Sequence, residues 1–251
     1  MMKAISVFAQ LSILGMLSIA TAPWAYADSI VNAADDIYAA GGQTSLITTI
    51  NANPIGYGGG NAPGFFLTSG ASSFTFSVTG LITVNAGGGP TVTNDADGLG
   101  LGATSFSSNS GSGSISGITA PGQGYLVGVF IGPGGPSGPA PAALDFVTTS
   151  FTSLSPLLDQ TFFIGDGLTG DGAGAVQTFY VPTGATELYL GISDALGYNG
   201  APGAYFDNVG SFDVVATDAP DPSAPEPSSF LLFGTGILGM AGMMRRRLLA
   251  R

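Results

Sequence analysis

The sequence predicts an all-β fold, a single antiparallel β-sandwich, carried between two apolar chain ends. Three observations lead there. Short runs rich in Phe, Val, Ile and Thr alternate apolar and hydroxyl side chains with the period of a strand. Glycine clusters, Gly58-Gly59-Gly60, Gly87-Gly88-Gly89 and Gly132-Pro133-Gly134-Gly135-Pro136, separate those runs as long loops do in all-β domains. No stretch has the periodicity of a long amphipathic helix, and residues 31–40 are expected to form a short one at most.

The elements follow in order. Residues 1–27 read as a secretory signal peptide: Lys3 is the one early charge, residues 4–20 are apolar, and Ala25-Tyr26-Ala27 is a small-x-small site for signal peptidase. Ala25 and Ala27 define that site, and cleavage after Ala27 starts the mature chain at Asp28. The body, residues 28–216, is about 190 residues long, enough for one substantial core. Its first strand is expected at 46–50. In residues 73–79, Phe74, Phe76 and Val78 share one face and the hydroxyls the other, a half-buried strand. Residues 125–131 and 161–164 are continuous apolar runs and read as central strands. Residues 177–181 add another. Residues 186–193 turn Leu188, Leu190 and Ile192 inward, and residues 211–214 place Phe212 and Val214 in the core. About seven or eight strands at this spacing suit two packed antiparallel sheets. Residues 217–224 form a Pro-rich linker, part of a run with four prolines in twelve residues that makes a semi-rigid extended spacer.

Residues 225–251 end the chain with Pro225-Glu226-Pro227, an uncharged segment and Arg245-Arg246-Arg247. A transmembrane helix is expected at about 229–244. Its fifteen uncharged residues from Phe230 to Met244 would span about 22 Å as a helix, against a hydrocarbon core of about 30 Å. The arginines mark the cytoplasmic side, so everything upstream faces out. These three parts in this order resemble the PEP-CTERM sorting signal of exosortase substrates. The resemblance implies that a membrane-embedded exosortase recognises the signal, cuts near Pro-Glu-Pro and releases or re-anchors the protein outside the inner membrane. The expected location is the cell surface or extracellular matrix, after transient anchoring by the C-terminal helix. A simple single-pass membrane anchor is the plain alternative.

All five basic residues lie in the two ends, and all sixteen acids lie between Asp28 and Pro227, so the exported body carries a net charge of −16. A body without Lys or Arg cannot release counterions from a phosphate backbone, which excludes nucleic acid as a partner. There is no Cys and no His. Disulfides, ordinary zinc sites and His-dependent nucleophilic machinery are therefore absent. No carboxylate pair has a separation that sequence can define, and the protein is expected not to be an enzyme.

Chemistry is expected between residues 179 and 214. A strand ends at Asp194, a Gly-rich loop follows, and the next strand is entered through Asp207-Asn208. Ca²⁺ takes six to eight oxygen ligands from carboxylates, amides and backbone carbonyls on a wrapping loop. Asp194, Asp207 and Asn208 supply three such side chains, and without bases nearby their charges repel unless a cation sits between them. Residues 202–212, PGAYFDNVGSF, are similar to the calcium loop of the galactophilic lectin PA-IL family, a jelly-roll sandwich of galactose-binding-like topology. The resemblance implies Asp194, Asp207 and Asn208 as side-chain ligands of Ca²⁺, with backbone carbonyls from Ala204 and Val84. The long sugar-reading loop of that family corresponds to residues 93–98, where Asp95 and Asp97 stand as ligand-binding candidates and no His is present. Asp95-Ala96-Asp97-Gly98 and residues 166–172 also resemble fragments of calcium loops, but lack EF-hand spacing and read as loop tips.

Two functions are expected from different classes. The first is a Ca²⁺-supported module that binds extracellular polysaccharide; the second is a non-catalytic structural protein of the biofilm matrix with no sugar site.

Overall fold

A computed structural model of the chain describes residues 26–42, 60–68, 70–84, 92–98 and 106–220. Within them run β1 (Tyr26–Asn32), β2 (Gly64–Leu67), β3 (Ala71–Val84), β4 (Val92–Asn94), β5 (Phe106–Ser112), β6 (Ile115–Pro121), β7 (Leu126–Ile131) and β8 (Leu144–Asp145). They continue through β9 (Ser153–Leu154), β10 (Thr161–Phe163), β11 (Leu168–Gly170), β12 (Ala173–Val176), β13 (Thr178–Tyr180), β14 (Glu187–Ile192), β15 (Asn199–Gly200) and β16 (Val209–Pro220). Helical structure among the described residues is confined to short 3-10 turns at Ile37–Gly42, Leu196–Tyr198 and Tyr205–Asp207. The protein is all-β.

Strand β7 explains the layering. Every one of its residues is buried, and successive side chains of a strand point to opposite faces, so both faces must be covered. Leu126 and Phe130 join a cluster with Phe74, Phe76, Phe212 and Val214 from the six-stranded sheet of β1, β16, β3, β13, β9 and β4. Val127, Val129 and Ile131 join a second cluster with Ile115, Ile118 and Ala120 of β6. The sheet ordered β10-β7-β14-β2 is thus the middle layer, with the large sheet on one side and the β15-β5-β6-β8 sheet on the other. Gly128 serves this packing: a Cβ there would come within 2.7 Å of the Phe162 ring, which stacks on Phe130 at 5.2 Å between centroids.

The long ladders are antiparallel, as expected. β16 pairs with β3 from Val209↔Thr83 to Pro220↔Ala71, and β14 pairs with β7 from Glu187↔Ile131 to Ile192↔Leu126. The two main sheets face each other as a sandwich. The expectation of two purely antiparallel sheets is corrected in two ways: a third sheet covers the outer face of β7, and the pairs β13/β9, β15/β5 and β6/β8 are parallel. Strands β8, β9 and β15 have two residues each, too few for any period to show in sequence.

Residues 31–40, where a short helix at most was expected, carry as helix only the start of the 3-10 turn at Ile37–Gly42. Val31 and Asn32 finish β1, the Asn32 N–H donates to Asp35 Oδ2 at 2.8 Å, and the Tyr38 N–H donates to Asp36 Oδ1 at 2.9 Å. Asx bonds of this kind compete with helix and favour turns. The strand expected at 46–50 lies outside the described residues, as do the apolar ends, including residues 229–244. Among the described residues no helix is long and apolar enough to cross a membrane.

The first and last strands pair over seven positions, from Tyr26↔Thr217 to Asn32↔Ser211. The sheet therefore extends past 28–216 at both ends, taking in Tyr26 and Ala27 and residues 217–220 of the segment read as spacer. Pro220 is tolerated because it closes the strand, just beyond a register shift at Ala219.

Candidate cation site at the 194–208 loop

Asp194 follows β14 in the middle sheet, and Asn208 precedes β16 in the large sheet. The loop between them bridges two layers. It is pinned from below: Asp194 O accepts from Gly203 N–H at 3.2 Å and from Asn109 Nδ2 at 2.7 Å. The Tyr205 hydroxyl, fully buried, donates to Ile192 O at 2.9 Å and accepts from Asp194 N–H at 3.2 Å. Tyr198 (φ 65°) and Ala204 (φ 70°) both hold left-handed backbone, a conformation that costs energy in residues with a Cβ and gathers at ligand clamps.

Of the expected ligand residues, Asp194 and Asn208 meet directly. Asn208 Nδ2 donates to Asp194 Oδ2 at 2.9 Å and to Ala33 O at 3.1 Å, while Asp194 Oδ1 accepts from Ala195 N–H at 2.8 Å. Asn208 Oδ1 and Asp207 Oδ1 are both buried without a hydrogen-bond partner. Val84 ends β3 one position beyond the Thr83↔Val209 pair, which brings it opposite Asn208. Ala204 is buried in the loop.

The electrostatics are those of an acid-only interior. Burial pushes the Asp194 carboxyl up to about 7, against hydrogen bonds from Asn208 and Ala195, and the charges of Asp207 and Asp36 push the same way. Asp36 is held at about 6, also by burial, and Asp207 is raised by burial. Asp36 is a residue that sequence reasoning missed. Its Oδ2 is buried without a partner, yet nothing in local spacing ties an acid after β1 to a loop after β14. An unpaired buried acceptor costs about 1–3 kcal/mol, and a hard cation is the species that satisfies several acceptors at once. Asp194 already accepts a hydrogen bond at each carboxylate oxygen, so the buried acceptors without a partner are Asp36 Oδ2, Asp207 Oδ1 and Asn208 Oδ1, all of them oxygens, the atom type Ca²⁺ takes.

A second acidic group joins the turn at 95–98 to residues 166–172, both read as loop tips. Carboxylate oxygens of Asp95, Asp97 and Asp171 all lie within 4.8 Å of one another. The Asp166 N–H donates to Asp97 Oδ1 at 3.2 Å, and Asp166 itself accepts from Leu168 and Gly172 N–H groups, each at 2.8 Å. A Cβ at Gly165 would overlap the Asp97 carboxylate, so glycine is what lets the two loops meet. Burial, followed by the charge of Asp166, pushes Asp97 up to about 7. Asp97 is 4% exposed and faces its fellow acids. The two fragments are adjacent in sequence to nothing in common; the folded sheet order alone joins them.

With the geometry in place, the tail supplies the class of protein. Residues 223–247 match the family model described as the PEP-CTERM protein-sorting motif, a span that holds Pro225, Glu226, Pro227, Arg245, Arg246 and Arg247. The match supports an exported protein that exosortase processes and that is sorted through the membrane to the cell surface. No curated protein and no solved structure matches the chain.

Proposed function

We propose that the exported body is a non-catalytic, Ca²⁺-supported carbohydrate-binding module of jelly-roll, galactose-binding-like type, displayed after exosortase processing among extracellular polysaccharide. Asp194, Asp207 and Asn208 hold the ion, with carbonyls of Ala204 and Val84 completing the protein's share. One observation carries this reading: Asp207 Oδ1 and Asn208 Oδ1, neighbours in sequence, are both buried acceptors without a donor. Glycan-array binding with and without chelator tests it. Binding that disappears in EDTA and returns with Ca²⁺ supports the module, and binding indifferent to both overturns it.

A second reading, a structural matrix protein that cations only rigidify, draws on the Asp95, Asp97 and Asp171 cluster. An ion held around the buried Asp97 would tie the 95–98 turn to the β11/β12 hairpin without meeting a ligand. Under that reading Ca²⁺ raises the melting temperature and no glycan is retained.

A further inference from the structure

We infer that the protein, while tethered by its C-terminal segment, presents the 194–208 loop at the pole farthest from the membrane. The partner of that loop is then met from the extracellular side and not on the membrane that carries the protein. This concerns where the site is displayed and holds whether or not the site takes Ca²⁺.

Strand β16 sets the axis. It runs for twelve residues, from Val209 beside Asn208 to Pro220, and pairs with β3 along its whole length. At about 3.3 Å per residue its two ends stand about 36 Å apart. The matched sorting motif begins at residue 223, just past Pro220, and the uncharged segment begins at Phe230. One end of a single strand therefore carries the tether and the other carries the site. Strand β1 is antiparallel to β16 and begins at the tether end, with Tyr26 opposite Thr217. The residues that precede it leave the fold at the same pole.

The buried acids gather at the other pole. Strand β1 runs toward it, and Asp36 beyond that strand bridges to Ile192, two residues before Asp194. Ile192 also pairs with Leu126, whose N–H donates to Ala96 O at 2.9 Å, so the turn holding Asp95 and Asp97 lies there as well. The exported body has sixteen acids and no base, so an anionic headgroup surface repels it and offers nothing to turn the acidic pole down. The stretch from Pro220 to Phe230 reaches at most about 35 Å. Turning the domain over, with Val209 at the membrane and Pro220 about 36 Å above it, would need the whole of that reach.

The chain has no cysteine, so a single dye can be placed along the axis. Tyr180 is exposed and pairs with Ser73, which stands opposite Ala219 at the tether end. Asp213 is exposed at mid-strand, and Val209 is exposed at the site end. Full-length Tyr180→Cys, Asp213→Cys and Val209→Cys proteins, labelled with a donor dye, are placed in vesicles of phosphatidylethanolamine and phosphatidylglycerol that carry an acceptor on the headgroup, and energy transfer is measured. The expected distance from the headgroup plane rises in the order 180, 213, 209, with position 209 farther than 180 by up to about 33 Å. Equal distances at all three positions, or position 209 nearest, overturn the proposal. Transfer at 209 that rises when Ca²⁺ is added and falls in EDTA would show the loop docking on its own membrane, and overturns it too. Should Val209→Cys disturb the loop, Asp213→Cys against Tyr180→Cys still gives the sign of the gradient, over about 20 Å. Failure of the calcium reading looks different: the melting temperature would ignore Ca²⁺ while the order of distances stayed the same.

Discussion

Replacing Asp194 by Asn should stabilise the metal-free protein at pH 8 and abolish its response to Ca²⁺. The carboxyl is buried and held near 7 rather than at the ordinary 3.8, so in the absence of a cation its ionisation works against folding. The folded state keeps its proton more tightly than the unfolded state, and that advantage is complete below about pH 4 and lost as pH rises through 7. At about 1.36 kcal/mol per pKa unit the loss approaches about 4 kcal/mol for this one group. Asn removes the charge at nearly constant volume, but it carries a new donor. Placed at Oδ2, its NH₂ would face Asn208 Nδ2, which already donates to Ala33 O. Turning the Asn208 amide would repair that contact and orphan Ala33 O, a cost of about 1–3 kcal/mol. The net expectation is a gain of about 2 kcal/mol at pH 8, shrinking toward zero or below at pH 5. Urea unfolding in EDTA at the two pH values measures it. A variant no more stable relative to the parent at pH 8 than at pH 5 would refute the claim that a buried, uncompensated charge sits at this position.

Two further outcomes are expected. Phe162→Ala should cost about 3–5 kcal/mol by denaturant unfolding, because the ring contacts Phe130 at 5.2 Å and Phe179 at 5.5 Å and its loss leaves a cavity under Gly128; a cost below about 1 kcal/mol would mean that the two main sheets do not meet there. Mass spectrometry of the surface fraction from a host with an exosortase should find no peptide containing Arg245, Arg246 or Arg247, and mature protein with an intact C-terminus would speak against processing.

The parts of the fold that were legible in sequence are those with a period. Phe74 and Phe76, Leu188, Leu190 and Ile192, and Phe212 and Val214 face the core as alternation requires. The unbroken apolar run of β7 told of two covered faces. What covers the second face could not be read, because β6 and its neighbours owe their burial to packing against β7, and strands of two residues carry no pattern. The same division holds for the site. Asp194, Asp207 and Asn208 sit in one Gly-rich stretch, so sequence alone could single them out as candidates. Asp36 joins them through the pairing of its segment with Ile192, and Asp97 meets Asp166 and Asp171 through loops far apart in the chain. A contact made by sheet order leaves no local trace.

The central claim is that the 194–208 loop is a cation site rather than a loop with acids in it. The most direct measurement is the melting temperature in EDTA and in Ca²⁺ for the parent, Asp207→Ala and Asp213→Ala. Binding to the folded state alone adds about 2.7 kcal/mol when free ion is 100-fold over Kd, enough to raise the melting temperature by several degrees. Asp213 is exposed on β16, so its removal deletes the same charge outside the site. The account predicts a Ca²⁺-dependent rise in the parent and in Asp213→Ala, a smaller rise with Mg²⁺, and little or none in Asp207→Ala. Equal responses from all three proteins would show diffuse screening of a highly acidic body and contradict the account.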